Sequence, residues 1–200
     1  MNLFVSEVLS SILQIVLFML IPFVWWFINA RKKESFFAWI GFKRLPPNKS
    51  KKLLIIIIGL IALSWITGEW SLRLMDNVET ATSAFDGGGV GAVPAILVYG
   101  IFHTALPEEL LFRGFLLKRI KSKFGFTVGN TVQAVLFGLL HGAEFMGETE
   151  IIMVFALVIF TFTFAFADGY VNEKLADGSI MPGWCAHAVT NILSGLGAAF

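Results

Sequence analysis

The sequence is poor in charge and in cysteine, and both shortages restrict what the chain can be. Only 14% of its 200 residues are charged while 56% are hydrophobic, whereas roughly 25% of a typical soluble domain is charged. A single cysteine, Cys185, excludes an intrachain disulfide. The formal net charge of +1 provides no excess of positive charge, so no nucleic-acid partner is expected. This composition predicts a polytopic membrane protein.

Long apolar runs are what the sequence has instead, and we predict an all-α transmembrane bundle of about six spanning helices. The runs lie at 5–28, 53–70, 90–106, 127–145, 151–167 and 184–200. The whole chain, residues 1–200, is expected to be a single integral membrane domain, with N-terminal helices over 5–70. The aromatic-rich run at 151–167 is expected to face lipid, and residues 168–182 are expected to form a loop.

Charge alternates between the predicted connections. Residues 31–52 contain eight Lys and Arg residues and Glu34 as their only acidic residue, whereas the connection after the second run is acidic. By the positive-inside rule, the first, third and fifth connections face the cytoplasm. We therefore expect a multi-pass membrane protein in contact with the lipid bilayer. The pattern leaves the oligomeric state open.

One stretch breaks the apolar pattern at membrane depth. Glu108, Glu109 and Arg113 follow the third run directly, and each charge costs about 2.5–3.5 kcal/mol at the centre of a spanning helix. Glu109 and Arg113 are four residues apart, so they share a helix face and can pair. Glu108 points about 100° away from Glu109, which leaves it free to face a cavity as a general base. Pro107 is expected to kink or restart the helix.

Two later helices supply polar partners. His141 lies on the fourth run, and His187 and Asn191 lie four residues apart on one face of the sixth. With Glu108 they provide one carboxylate, two imidazoles and an amide, which are enough to polarise a water and stabilise an oxyanion. Glu108, His141 and His187 are also a sufficient ligand set for a catalytic zinc with one open position. The residues alone leave both interpretations open.

The expected depths of these residues do not agree. Glu108 lies ten residues before Lys118, which places it about 15 Å from the basic end of its helix. His141 falls near the opposite, outer end of its own span. A tilted helix, a misread boundary or an irregular backbone around Gly138 and Gly142 would each reconcile the two positions.

Three short motifs on successive helices resemble those of one known family. They read EELLFR at 108–113, FGLLH at 137–141 and HAVTN at 187–191. Their order and spacing resemble the CPBP group, also called the Abi family, which comprises CAAX-prenyl proteases and bacteriocin-processing enzymes. The resemblance covers about residues 93–196. It implies an intramembrane endopeptidase of a bacterial cell membrane, with its active site open to the cytoplasmic side, whose substrate is a membrane-associated, lipidated or leader peptide. For a bacterial source, bacteriocin processing or self-immunity is the expected purpose.

The resemblance also implies a role for each motif residue. Glu108 would be the general base that activates water, and His141 would assist it or bind a metal. His187 and Asn191 would face the scissile carbonyl as oxyanion donors, or His187 would be a metal ligand. The motif residues Glu109 and Arg113 would be supporting. The family is called metalloprotease by name, but a metal-free mechanism with Glu- and His-activated water is an equal alternative to zinc.

Two other classes of function fit part of the pattern. Intramembrane Glu and His residues also mark ion paths, so a transporter or proton relay is the first alternative. Such a protein would be expected to contain two similar halves with paired broken helices, and the sequence contains no such symmetry. The second alternative is a non-catalytic immunity scaffold, against which the intact motifs argue.

Overall fold

The computed structural model describes residues 2–45, 50–74 and 78–200, and every regular element in this part of the chain is helical. The helices are α1 (Leu3–Asn29), α2 (Phe36–Ile40), α3 (Ser50–Leu74), α4 (Gly89–Phe124), α5 (Phe126–Glu144), α6 (Ile151–Leu175) and α7 (Met181–Ala199), with a short 3₁₀ turn at Ser83–Phe85. The prediction of an all-α fold is confirmed for these residues.

Four of the helices in the described ranges are long and apolar enough to cross a membrane. They are α1, the 51–68 part of α3, α4 and α6. Helices α5 and α7 form where the fourth and sixth runs were predicted and have 19 residues each, but they are not among the helices apolar enough to cross a membrane. Both carry polar side chains that face the protein interior, such as Asn130, Gln133 and His187. The predicted count of about six spans is therefore not confirmed.

The distribution of apolar and polar side chains fits an integral membrane protein. Helix α1 leaves large apolar side chains exposed, for example Ile12 at 57% and Leu17 at 59%. The fully buried side chains include the charged or amide groups of Glu109, Arg113, Asn130, Gln133, Asp168 and Asn172. In a hydrocarbon environment polar groups must be satisfied by other protein groups, so they gather between helices while apolar groups face outwards.

Helix α4 carries the first motif and departs from regular α-helical geometry around it. Two π-helical segments, Tyr99–Ala105 and Glu109–Leu117, flank a short α-helical piece, Leu106–Glu108. Pro107 lies within that piece, lacks an N–H and would crowd the carbonyl of His103 in a regular α-helix. The wider turns accommodate it without ending the helix, and such turns are frequent at functional sites. The predicted kink or restart is thus a change in helical winding.

Helices α5 and α6 pack closely because glycine removes side chains from their interface. A Cβ atom on Gly138 would lie 2.7 Å from the Val158 carbonyl oxygen, and one on Gly142 would lie 2.3 Å from Val158 Cγ2. The two glycines lie in a regular α-helix, so they serve close packing and the backbone there is not irregular. On the same interface, Gln133 Nε2 donates to the Ala165 carbonyl at 2.9 Å.

The predicted first, third and fifth connections lie together at one end of the bundle. Ile180 N donates to the Gly41 carbonyl at 2.9 Å, which joins the fifth connection to the first. Lys118 Nζ, near the end of α4, donates to the Gly178 carbonyl at 2.7 Å and pairs with Glu173. Glu173 belongs to α6, so the prediction of a loop over 168–182 is wrong for 168–175. Gly125 has a φ of +87°, a value that favours glycine, and it connects α4 to α5 in a single residue.

Candidate active site

A polar cavity of about 480 Å³ brings the four predicted catalytic residues together. Glu108 comes from α4, His141 from the end of α5, and His187 and Asn191 from α7; all four line the cavity wall. His141 reaches the same cavity as Glu108 because α5 is regular up to Glu144. The disagreement in depth that the sequence suggested therefore arises because the cavity extends from the middle of the bundle towards the end of α5.

Both adjacent carboxylates approach the same imidazole, from opposite sides. Glu108 Oε2 lies 3.7 Å from His187 Nε2, and Glu109 Oε1 lies 3.4 Å from His187 Nδ1. Glu108 Oε2 is buried and has no hydrogen-bond partner. The sequence predicted Glu108 and His187 in one site, whereas the approach of Glu109 to His187 was not predicted. No motif spacing indicates that contact, since the residues are almost eighty positions apart.

Glu109 is held in the interior by Arg113 and Asn172, in addition to its contact with His187. Its carboxylate lies 3.2 Å from Arg113 Nη1, and both side chains are fully buried. Asn172 Nδ2 donates to the other carboxylate oxygen at 3.4 Å. Asn172 Oδ1 in turn accepts from Gly183 N at 2.9 Å. A Cβ on Gly183 would lie 2.6 Å from Asn172 Nδ2 and 2.9 Å from Glu109 Oε2, so only glycine allows this approach.

Asp168 is a second buried acid beside the same guanidinium. Its Oδ2 lies 3.7 Å from Arg113 Nη2, and its side chain is almost completely buried. Arg113 thus lies between two carboxylates, Glu109 and Asp168. Asp168 and Asn172 were not predicted as site residues because residues 168–175 were expected to form a loop. Their spacing of four residues would have suggested a shared helix face if the helix had been predicted.

Phe137, the first residue of the second motif, holds His141 in place. The two rings are stacked with their centroids 4.3 Å apart. His141 Nδ1 lies 2.9 Å from the Phe137 carbonyl oxygen. A carbonyl can only accept, so Nδ1 carries the proton in this contact and Nε2 of the neutral ring is an acceptor. The Arg113 guanidinium lies 4.4 Å from the Phe137 ring centroid. The Phe137 ring therefore contacts both the buried cation Arg113 and the catalytic candidate His141.

Asn191 is oriented by a residue outside the motifs. Its Nδ2 donates to Thr104 Oγ1 at 2.6 Å, and Thr104 Oγ1 donates to the Tyr99 carbonyl at 3.3 Å. Thr104 lies in the first π-helical segment of α4. Since an amide nitrogen has two hydrogens, Asn191 retains one donor for another partner. No motif or spacing in the sequence predicts this contact.

A smaller, apolar cavity of about 200 Å³ adjoins the polar one. His141, His187 and Asn191 line both cavities. The other lining groups are mainly apolar and come from α3, α5, α6 and α7, among them Trp65, Phe145, Leu157, Phe160 and Phe164. The ring centroids of Phe164 and His187 are 5.6 Å apart. The prediction that the aromatic-rich run faces lipid is therefore wrong for Phe160 and Phe164.

The comparisons with known proteins agree with the motifs. Residues 89–193, just over half of the chain, match the family model of Rce1-like proteins, described as type II CAAX prenyl endopeptidase Rce1-like. The chain belongs to this family. None of the curated proteins and none of the solved structures that were compared matches the chain. Family membership supports a protease and confirms the predicted resemblance to CAAX proteases.

The Rce1-like match does not include α1, yet α1 contributes to the polar cavity. Glu7 and Gln14 line its wall. Glu7 Oε2 lies 2.7 Å from His103 Nδ1. His103 is among the matched residues and lies in the first π-helical segment of α4. The N-terminal helix of this family member therefore forms part of the wall of the candidate active site.

The predicted zinc ligands do not fit a metal site in this arrangement. Among the residues that the structure describes, no three His, Cys, Asp or Glu side chains are grouped so that they could hold a metal ion. The contacts of His141 Nδ1 and His187 Nδ1 with protein oxygens leave both Nε2 atoms available, so the poor fit rests on the grouping of the side chains alone. Metal dependence stays a prediction.

Proposed function

We propose that this chain is an intramembrane endopeptidase in which Glu108 activates a water to hydrolyse a peptide bond. The proposal rests on one observation, the meeting of Glu108, His141, His187 and Asn191 at a single cavity between the helices. Membership in the Rce1-like family favours this chemistry over a transporter or proton relay.

Water activation is assigned to Glu108 and His141. The Glu108 side chain lines the cavity, and its buried Oε2 has no hydrogen-bond partner, so this carboxylate can serve as the base for a water in the cavity. The Nε2 atom of His141 is the acceptor of that ring and lies on the same cavity. A water held by both groups is polarised for attack on a carbonyl carbon. The second hydrogen of the Asn191 amide is the donor for the oxyanion that then forms.

His187 is the proton carrier in this mechanism. Glu109 lies beside the Arg113 cation and its Oε1 faces His187 Nδ1, so we assign the imidazole proton to Nδ1, which leaves Nε2 as the acceptor facing Glu108. Glu108 takes a proton from water as the carbon–oxygen bond forms and passes it to His187 Nε2. The doubly protonated ring then donates to the oxyanion. When the carbon–nitrogen bond breaks, the same proton goes to the leaving amine.

The substrate proposed is a hydrophobic, lipidated or leader peptide. Support comes from the apolar cavity, which shares His141, His187 and Asn191 with the polar cavity and offers Phe160 and Phe164 to an apolar group. A peptide placed between the two cavities would have its scissile bond at the polar wall and an apolar side chain in the aromatic one. A bacteriocin or its leader peptide is a substrate of this kind.

The test is cleavage by the purified protein in lipid nanodiscs. The probe is a defined pool of synthetic apolar peptides, with and without a prenyl group, analysed by mass spectrometry for new termini. We expect discrete cleavage that disappears in a Glu108→Gln variant of unchanged helicity. Cleavage that persists in this variant would overturn the mechanism. If cells that express the Glu108→Gln variant remain protected against a bacteriocin, the result would favour the non-catalytic immunity scaffold.

A further inference from the structure

The basic residues of the chain are concentrated at one end of the bundle, away from the proposed chemistry. Of the 15 Lys and Arg residues, eight lie at 31–52, four at 118–123 and one at 174. The connections that contain them touch one another, since Ile180 N donates to the Gly41 carbonyl and Lys118 Nζ donates to the Gly178 carbonyl. This end therefore carries most of the positive charge of a chain whose formal net charge is only +1.

Two of these lysines share a single carboxylate. Lys118 Nζ contacts Glu173 Oε1, and Lys121 Nζ contacts Glu173 Oε2. The Lys118 side chain is only 13% exposed, and its ammonium group also donates to the Gly178 carbonyl at 2.7 Å. Both oxygens of Glu173 are engaged, so its one negative charge balances only one of the two lysines.

Lys43, from the first connection, brings a third ammonium group to the same place. A Cβ atom on Gly178 would lie 3.2 Å from Lys118 Nζ and 3.7 Å from Lys43 Nζ, so both ammonium groups lie within 4 Å of one point. Gly178 has a φ of +79°, a value that favours glycine, and its missing side chain leaves this point to the charged groups. Lys43 forms no ion pair with another residue of the described part of the chain.

Positive charge is in excess at this point even when the neighbouring acids are counted. Asp177 precedes Gly178, so the nearby carboxylates are Asp177 and Glu173, against Lys43, Lys118 and Lys121. Like charges held close together repel one another, and the repulsion is stronger where part of the site is shielded from water. An anion from outside the chain would relieve it.

An exposed aromatic surface adjoins the lysines. Phe42 directly precedes Lys43, and its ring centroid lies 6.1 Å from that of Phe37 on α2. The Phe37 side chain is 64% exposed. Basic and exposed aromatic side chains occur together where a protein meets the interfacial region of a membrane. A free anion would use the lysines alone, whereas a lipid would use the lysines and the aromatic surface.

We propose that Lys43, Lys118 and Lys121 bind the phosphate of an anionic phospholipid, whose acyl chains lie against Phe37 and Phe42. The phosphate provides the negative charge that the three lysines lack among their own neighbours. It also joins the first connection to the end of α4, beside α6. The site is separate from both cavities, so it does not depend on the proposed peptidase activity.

Binding is tested on purified, delipidated protein in a neutral detergent. Phosphatidylglycerol is added in increasing amounts, and native mass spectrometry counts the bound lipids and gives an apparent Kd. Phosphatidylcholine has the same phosphodiester but a neutral headgroup overall, and it is the matched lipid. We expect phosphatidylglycerol to bind at least about tenfold more tightly than phosphatidylcholine. Equal affinities of the two lipids would overturn the proposal.

A double variant locates the site. Lys43→Gln with Lys121→Gln removes the two more exposed ammonium groups and keeps Lys118, and we expect the Kd of phosphatidylglycerol to rise about 30-fold. Lys32→Gln with Lys33→Gln removes the same charge from exposed positions of the first connection, and it should change this Kd by less than about threefold. Equal losses in the two double variants would indicate diffuse surface charge in place of a site.

Two further measurements complete the test. Inorganic phosphate should not displace the lipid at equal concentration, because it has no contact with the aromatic surface; displacement would assign the lysines to a free anion and overturn the lipid proposal. If Lys43→Gln with Lys121→Gln loses helicity, Lys43→Gln alone decides, since Lys43 is exposed. We expect the single variant to raise the Kd about fivefold, and an unchanged Kd would remove Lys43 from the site.

Discussion

Asn191 donates a hydrogen bond to Thr104 Oγ1 across 2.6 Å, and this contact joins the third motif on α7 to a π-helical segment of α4. The contact fixes the plane of the Asn191 amide at the wall of both cavities. Thr104 lies four residues before Glu108, so the helix that carries the proposed base also orients the proposed oxyanion donor. The geometry of the two groups is thus coupled through one helix.

Removal of the Thr104 hydroxyl should impair catalysis without unfolding the protein. Thr104→Val keeps the shape of the side chain but offers Asn191 no acceptor, so the amide loses its fixed orientation. We expect kcat to fall by up to about 10²-fold, approaching the effect of losing an oxyanion donor, with little change in KM. Thr104→Ser keeps the hydroxyl and is the matched control. Equal kcat values for the valine and serine variants would contradict the role of the contact.

Glu108 should be distinguishable from a neighbouring carboxylate in the same cavity. Glu108→Gln removes the proposed base at constant size, and we expect the rate of peptide cleavage to fall by roughly 10²–10⁴-fold. Glu144 also lines the cavity but lies outside the proposed proton path, so Glu144→Gln should retain most of the activity. Single-turnover cleavage in nanodiscs measures both rates. Similar losses in the two variants would indicate that the cavity needs negative charge in general.

The protonation of His187 should depend on Glu109. The chain contains three histidines, so ¹⁵N-histidine labelling gives few signals, which His→Asn variants can assign. We expect the neutral tautomer of His187 with its proton on Nδ1 in the wild type, because Glu109 Oε1 lies 3.4 Å away. Glu109→Gln should produce a mixture of tautomers and lower the cleavage rate by roughly 10²–10⁴-fold, as for other orienting carboxylates. An unchanged His187 spectrum in this variant would remove Glu109 from the proton path.

A methyl group at Gly183 should disturb the same network from the other side. In Gly183→Ala the new Cβ would lie 2.6 Å from Asn172 Nδ2, so the helices must separate or the amide must move. We expect destabilisation of about 1–3 kcal/mol and reduced cleavage. Gly91→Ala is the matched control, since nothing lies within 4 Å of its added Cβ. Thermal denaturation in detergent compares the stabilities of the two variants. A Gly183→Ala variant as stable and as active as the wild type would contradict the packing described.

Removal of divalent metal should leave cleavage unchanged. The arrangement of Glu108, His141 and His187 provides no grouped ligand set among the described residues, and the proposed steps use only protein groups and water. Purified protein is treated with a zinc chelator, dialysed and assayed, with elemental analysis before and after. Stoichiometric zinc, together with a loss of activity that zinc restores, would establish a metal mechanism and require a rearrangement of these side chains.

The sequence alone determined the class of the protein and most of its candidate chemistry. A low content of charge and long apolar runs predicted helices in a membrane, because backbone groups in lipid must be paired within the segment. The cost of charge at membrane depth made Glu108, Glu109 and Arg113 conspicuous. The spacing of four residues predicted that Glu109 and Arg113 share a helix face, and the structure contains their ion pair at 3.2 Å.

Only the tertiary structure decided which groups these residues meet. Helix α6 continues eight residues beyond the predicted end of its apolar run, so Asp168 contacts Arg113 and Asn172 contacts Glu109. Hydropathy does not predict this part of the helix, because its buried face is polar. The contact of Glu109 with His187, and the meeting of the four predicted catalytic residues at one cavity, depend on how separate helices pack. Local pattern is set by neighbours along the chain, whereas such contacts arise between residues far apart in sequence.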